Sequence, residues 1–135
     1  MMAPRRVEPE YYKTLDGDEE LSSYELTLML KALYYFLRSF KSTETWLSIQ
    51  KLYRGAQRYG KLTIKGRVKV VRVVGDILAY FADGVEIEGD VRRGTSLKKY
   101  IFSRFNPLVE LANRVDEASF ISQVIEMYRR AKSTS

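Results

Sequence analysis

The stretch KLTIKGRVKVVRVVGDILAYFADG, residues 61–84, decides between a helical and a sheet-bearing reading of the chain. Leu62, Ile64, Val68 and Val70 alternate with Thr63, Lys65, Arg67 and Lys69, as in a half-buried strand, and Lys65-Gly66 could turn a hairpin. Over a longer window, Val70, Val71, Val74, Ile77, Leu78 and Phe81 recur at helical spacing. Lys65, Lys69, Arg72 and Asp76 then form the wet side. The periodic run outlasts an ordinary strand, so the expectation is a helix from Arg67 to Ala82, stopped by Asp83-Gly84. The β-branched run weighs against it.

Upstream, Ser22-Ser-Tyr-Glu25 is a capping-box pattern. Leu26, Met29, Leu30, Leu33, Leu37 and Phe40 follow at three- and four-residue intervals, which predicts a helix over Ser23–Lys41. Thr43 or Thr45 can cap a second helix that runs to Tyr59, with Gly60 at its C-terminal stop. In that helix Trp46, Ile49, Leu52, Tyr53 and Ala56 face inward, and Lys51, Arg54 and Arg58 share one edge. The short link between the two predicts a basic helical hairpin. Pro4, Pro9 and the Leu15-Asp-Gly-Asp18 turn signal make residues 1–21 an extended arm.

Downstream, Val85-Glu-Ile-Glu-Gly-Asp-Val91 is expected to form a surface loop or a small β-hairpin near residues 85–92. Thr95 or Ser96 caps a predicted helix through Phe105, with Leu97, Tyr100, Ile101 and Phe105 inward. Asn106-Pro107 stops it and starts another helix, whose apolar face slips phase near Asp116. The expected fold is therefore all-α: one domain of 135 residues, a helical bundle with an arm (1–21), basic helices (22–72) and a packing region (73–135).

The charge is as uneven as the pattern. Residues 31–72 hold Lys31, Arg38, Lys41, Lys51, Arg54, Arg58, Lys61, Lys65, Arg67, Lys69 and Arg72 against a single acid, Glu44, a net of +10 within an overall +6. Tyr34, Tyr35, Phe36, Trp46, Tyr53 and Tyr59 are interleaved with them. Concentrated positive charge is the footprint of a polyanion partner, and tyrosine hydroxyls can donate to phosphate oxygens. The eleven cations and Tyr59 are the candidate nucleic-acid-binding residues. No zinc finger or aromatic sheet motif points to base reading, so sequence-independent contact with a duplex backbone is the expectation.

Other chemistry has little to stand on. The chain has no cysteine and no histidine, which removes thiolate nucleophiles, imidazole bases and zinc fingers. No phosphate-loop or dinucleotide glycine pattern occurs, and no cofactor is expected. Asp83, Glu86, Glu88 and Asp90 could hold a hard cation, though a solvated acidic loop is the simpler reading and no metal site is predicted. An enzyme is not expected. No apolar run is long enough to span a membrane.

A cysteine-free, mostly helical chain of this size, with a basic aromatic first half and an apolar second half, resembles the major capsid proteins of filamentous and rod-shaped viruses of hyperthermophilic archaea. Gln57-Arg-Tyr-Gly-Lys61 is similar to a run in the DNA-wrapping arm of the rod-shaped members. The resemblance implies double-stranded DNA held in A-form, self-assembly into a helical filament, a related second subunit as heterodimer partner, and location in the virion. The acidic character of residues 8–25 departs from the family's basic arms. The alternative is a small helical subunit of a CRISPR effector complex, lining a nucleic-acid channel.

Overall fold

A computed structural model describes residues 23–62, 64–94 and 97–133. The arm expected over residues 1–21 lies outside the described residues. Within them the chain forms α1 (Ser23–Ser39), β1 (Glu44–Leu47), α2 (Ile49–Ala56), α3 (Ile64–Phe81), β2 (Gly84–Glu88), a 3-10 turn (Val91–Arg93), β3 (Leu97–Ser103), α4 (Pro107–Arg114) and α5 (Glu117–Ser133).

The all-α expectation is overturned by a three-stranded antiparallel sheet in the order β1-β3-β2. The region expected to be a helix through Phe105 is the central strand. Along β3, Tyr100 and Phe102 are buried while Lys99, Ile101 and Ser103 between them are half-buried, the two-residue alternation of a strand. Glu44–Leu47, expected inside the second helix, pairs with β3 in the register Trp46↔Ile101 and Leu47↔Tyr100. β-Branched and aromatic residues suit a pleated surface, and the ladder gives the extended backbone partners that a short helix would lack. The strand near residue 85 exists and forms a hairpin with β3, the next strand in the chain (Val85↔Tyr100, Glu86↔Lys99), whose arm begins at Leu97, beyond the expected residues 85–92. Gly89, at φ 95°, takes the left-handed backbone that turns the chain away at its end.

The helical expectations fare better. α1 and α3 form nearly as read, and the phase slip near Asp116 is the α4–α5 junction. The second helix is shorter than expected. It starts after Ser48, whose buried hydroxyl accepts from Lys51 N–H at 3.1 Å, and gives way beyond Ala56 to turns through Tyr59. It packs on α1 closely: a Cβ placed on Gly55 would lie 3.4 Å from Ala32 Cβ. So the hairpin partners do meet, with a strand in the link between them.

The core lies between the inner sheet face (Leu47, Tyr100, Phe102) and the helices. α1 supplies Leu26, Met29, Leu30, Leu33 and Leu37; α3 supplies Val73, Val74, Ile77 and Leu78; α5 supplies Phe120, Val124 and Ile125. One residue joins two helices. Asn106 is 1% exposed; its Oδ1 accepts from Leu108 N–H at 2.8 Å to cap α4, and its Nδ2 donates to the Phe81 carbonyl at 2.8 Å at the end of α3. Asp83, just past α3, accepts from Ser103 N–H at 2.6 Å, which fixes the same helix end to β3.

Asn106→Ala removes the cap and strands a buried carbonyl, so it should cost about 2–3 kcal/mol, read as a lower urea midpoint at unchanged m value. Asp116 caps α5 through Ser119 N–H at 2.8 Å, and that bond holds its carboxyl below the ordinary carboxylate range. Its contribution is present above that range and is lost as pH falls through the depressed value. In acid titrations of stability, Asp116→Asn should flatten this part of the curve.

Candidate nucleic-acid interface

Helices α1 and α2 bracket a cleft of about 520 Å³ lined by Tyr35, Phe36 and Ser39 on one wall and Lys51, Arg54 and Arg58 on the other, with Tyr59 at one end. The two walls follow from helical spacing. Ala32, Tyr35, Phe36 and Ser39 lie three, four and seven apart on α1; Lys51 and Arg54 lie three apart on α2, and Arg58 follows in the turn beyond it. Ala32 and Gly55 are the small residues that let the helices cross beneath the cleft.

The aromatic wall is held firmly. Tyr35 donates its hydroxyl to Glu117 Oε1 at 2.9 Å, and that hydrogen bond keeps its pKa above the usual phenol range. Its ring sits 5.9 Å from that of Tyr59 at 32°, and both remain accessible, at 41% and 37%. Lys31 lies 4.7 Å from the Tyr59 centroid and 3.6 Å from Glu117 Oε2.

On the basic wall, neither Arg54 nor Arg58 meets a carboxylate among the described residues. Lys51 reaches back over β1: its Nζ lies 3.6 Å from the Trp46 ring centroid and 5.4 Å from that of Phe36, and donates to the Trp46 carbonyl at 3.2 Å. Lys99, brought across the sheet by the Trp46↔Ile101 pairing, is 4.5 Å from the same indole and paired with Glu88 at 2.7 Å. Desolvation, then repulsion from Lys99 and Arg54, holds the Lys51 ammonium below the ordinary lysine range. Of these three cations, Lys99 has Glu88 as its partner, and neither Lys51 nor Arg54 meets a carboxylate among the described residues.

Of the twelve residues expected to bind, the cleft gathers Lys51, Arg54, Arg58 and Tyr59, with Lys31 beside it. Arg38 is drawn elsewhere, donating at 2.9 Å to the Tyr34 hydroxyl, which itself donates to the Val115 carbonyl at 2.8 Å. Lys41 and Lys61 stand exposed outside the helices. Arg72 lines a separate groove with Asp76, Lys98 and Tyr100. Lys65, Arg67 and Lys69 belong to α3, with side chains outside the described set.

Lys99 was not foreseen, and Tyr35 and Phe36, noted among the interleaved aromatics, were left out of the candidate binding residues. The sequence reading also assigned Trp46 to the core, whereas the residue is half-buried on the outer sheet face. No local signal could have found Lys99: LKKYIFS does not alternate polar and apolar residues, and only the strand pairing brings it to Trp46. Asp83, Glu86, Glu88 and Asp90 do not converge: Asp83 caps Ser103, Glu88 pairs with Lys99, and Asp90 pairs with Arg93. No group of acids that could hold a metal ion occurs among the described residues, nor does a helix long and apolar enough to cross a membrane. No protein-family model, curated protein or solved structure matches the chain.

An anion bound only by the folded state raises stability by mass action. Millimolar tripolyphosphate should therefore raise Tm by several degrees, and Arg54→Gln/Arg58→Gln should abolish the rise. Calorimetry at matched ionic strength provides the measurement.

Proposed function

We propose that the chain is a nucleic-acid-binding protein that grips phosphates without reading sequence, through the α1–α2 cleft. The observation that carries this reading is a basic wall with two arginines unmatched by any carboxylate among the described residues, next to a lysine whose charge is already disfavoured by its surroundings. Proteins ordinarily pair or disperse surface charge; exposed arginines left without a carboxylate beside a partly buried lysine repel it, and a polyanion offsets that repulsion. Arginine suits the role because its planar fork engages phosphate oxygens two at a time.

The fold is mixed α/β rather than the all-helical architecture on which the resemblance to filamentous capsid proteins leaned, so the proposal rests on the cleft. An enzyme reading has less support, since the described acids are spread among separate contacts.

With Lys51, Arg54, Arg58 and Lys31 each neutralising a phosphate, log K should fall against log salt with a slope of roughly −3 to −4. Arg54→Gln/Arg58→Gln should make the slope shallower by roughly 1.5 and weaken binding alike on unrelated sequences. Fluorescence anisotropy across a salt series checks both. A salt-insensitive affinity, or strong preference for one sequence, would sink the proposal.

A further inference from the structure

The two walls of the cleft differ in kind. Positive charge comes from the α2 side as Lys51, Arg54 and Arg58, and aromatic surface comes from the α1 side as Tyr35 and Phe36. A single strand has the same division, phosphates along one edge and unstacked bases along the other. A duplex does not: it shows phosphates on both flanks and hides its base faces in the stack. We infer that the cleft takes an unpaired, single-stranded stretch of nucleic acid, with phosphates against α2 and bases against the tyrosines. This rests on the nucleic-acid reading above and narrows its substrate class away from the duplex expected from sequence.

Shape agrees with chemistry. Elements that read a duplex stand proud of the surface, as a helix or ribbon that enters a groove. Here the cations line a recess beside the Ala32–Gly55 crossing, and a ligand must bend into it to meet the basic and aromatic walls together. A single strand can, because its backbone turns freely and each base has a face to stack.

The aromatic surface is pre-positioned. Tyr35 is fixed through its hydroxyl to Glu117, so less of its side-chain entropy is lost on stacking, and Tyr59 lies against it with its ring centroid 5.9 Å away. The track also has a direction. From Tyr59 it passes Arg58 and Arg54 to Lys51, whose ammonium lies over the Trp46 ring. Lys51 and Arg54 lie about 4.5 Å apart along α2 at helical rise, with Arg58 in the turn beyond it, so the three can meet successive phosphates of one strand.

The test uses the full chain and labelled oligothymidylate, a mixed-sequence single strand and a duplex of equal length, by anisotropy at one salt concentration. Both single strands should bind roughly tenfold tighter than the duplex, and Tyr59→Ala should weaken them roughly tenfold while leaving the duplex within about twofold. Tyr59→Trp should restore single-strand affinity, which separates stacking from a folding defect, and circular dichroism of each variant confirms the fold. Arg54→Gln/Arg58→Gln should weaken all three ligands. Equal affinity for duplex and single strand, or equal losses on both from Tyr59→Ala, overturns the single-strand inference and leaves the phosphate reading standing. Absence of salt-dependent binding to any of the three overturns both.

Discussion

Helix α1 is enclosed on most of its circumference, and the rest of the molecule is arranged to enclose it. It packs against α2, α3, α4 and α5, and Leu26, Leu30, Leu33 and Leu37 are essentially without solvent exposure. Burying an aliphatic side chain of this size stabilises by about 1.5–3 kcal/mol, so four such residues outweigh any surface interaction in the chain. A helix so enclosed retains one narrow wet stripe, marked by Tyr24, Lys31, Tyr35 and Arg38. Whatever α1 contributes to a ligand must come from that stripe and its margins. The aromatic wall of the cleft lies there.

The sheet performs a second task for the same site. Pairing of β1 with β3 brings Lys99 onto the indole that Lys51 already covers, although more than forty residues separate the two. Lys99 has Glu88 to balance it, whereas Lys51 has only the Trp46 carbonyl and aromatic faces. Cation–π contact returns part of the hydration lost, about 0.5–2 kcal/mol at such sites. Like charge nearby works the other way. The balance leaves a cation that is held in place yet under-solvated, the condition in which an arriving phosphate gains most.

Legibility followed the range of the forces involved. α1 and α3 could be read because their apolar periodicity runs for seventeen and eighteen residues, long enough to separate a period of 3.6 from one of 2. The α4 start was legible because Asn106-Pro107 is a local signal. β1 is four residues long and β3 seven, and in β3 the pattern Leu97, Tyr100, Ile101 also fits a helical face. Nothing local breaks that tie. The partner strand does, since ladder hydrogen bonds exist only when Glu44–Leu47 and Gly84–Glu88 lie on either side.

Taken alone, the sequence determined the long helices, the phase break before α5, and the concentration of positive charge between Lys31 and Arg72. Those are properties of neighbours in the chain: periodicity, caps and charge count. Tertiary structure decided the sheet, and it sorted the eleven cations. It drew Arg38 to Tyr34 and Arg72 to another groove, left Lys51, Arg54 and Arg58 in one cleft, and recruited Lys99 from outside the basic segment. Charge density along a chain says that a polyanion could be bound. Which cations share one surface is set by burial of the residues between them, and that is settled only when the apolar faces of distant elements meet.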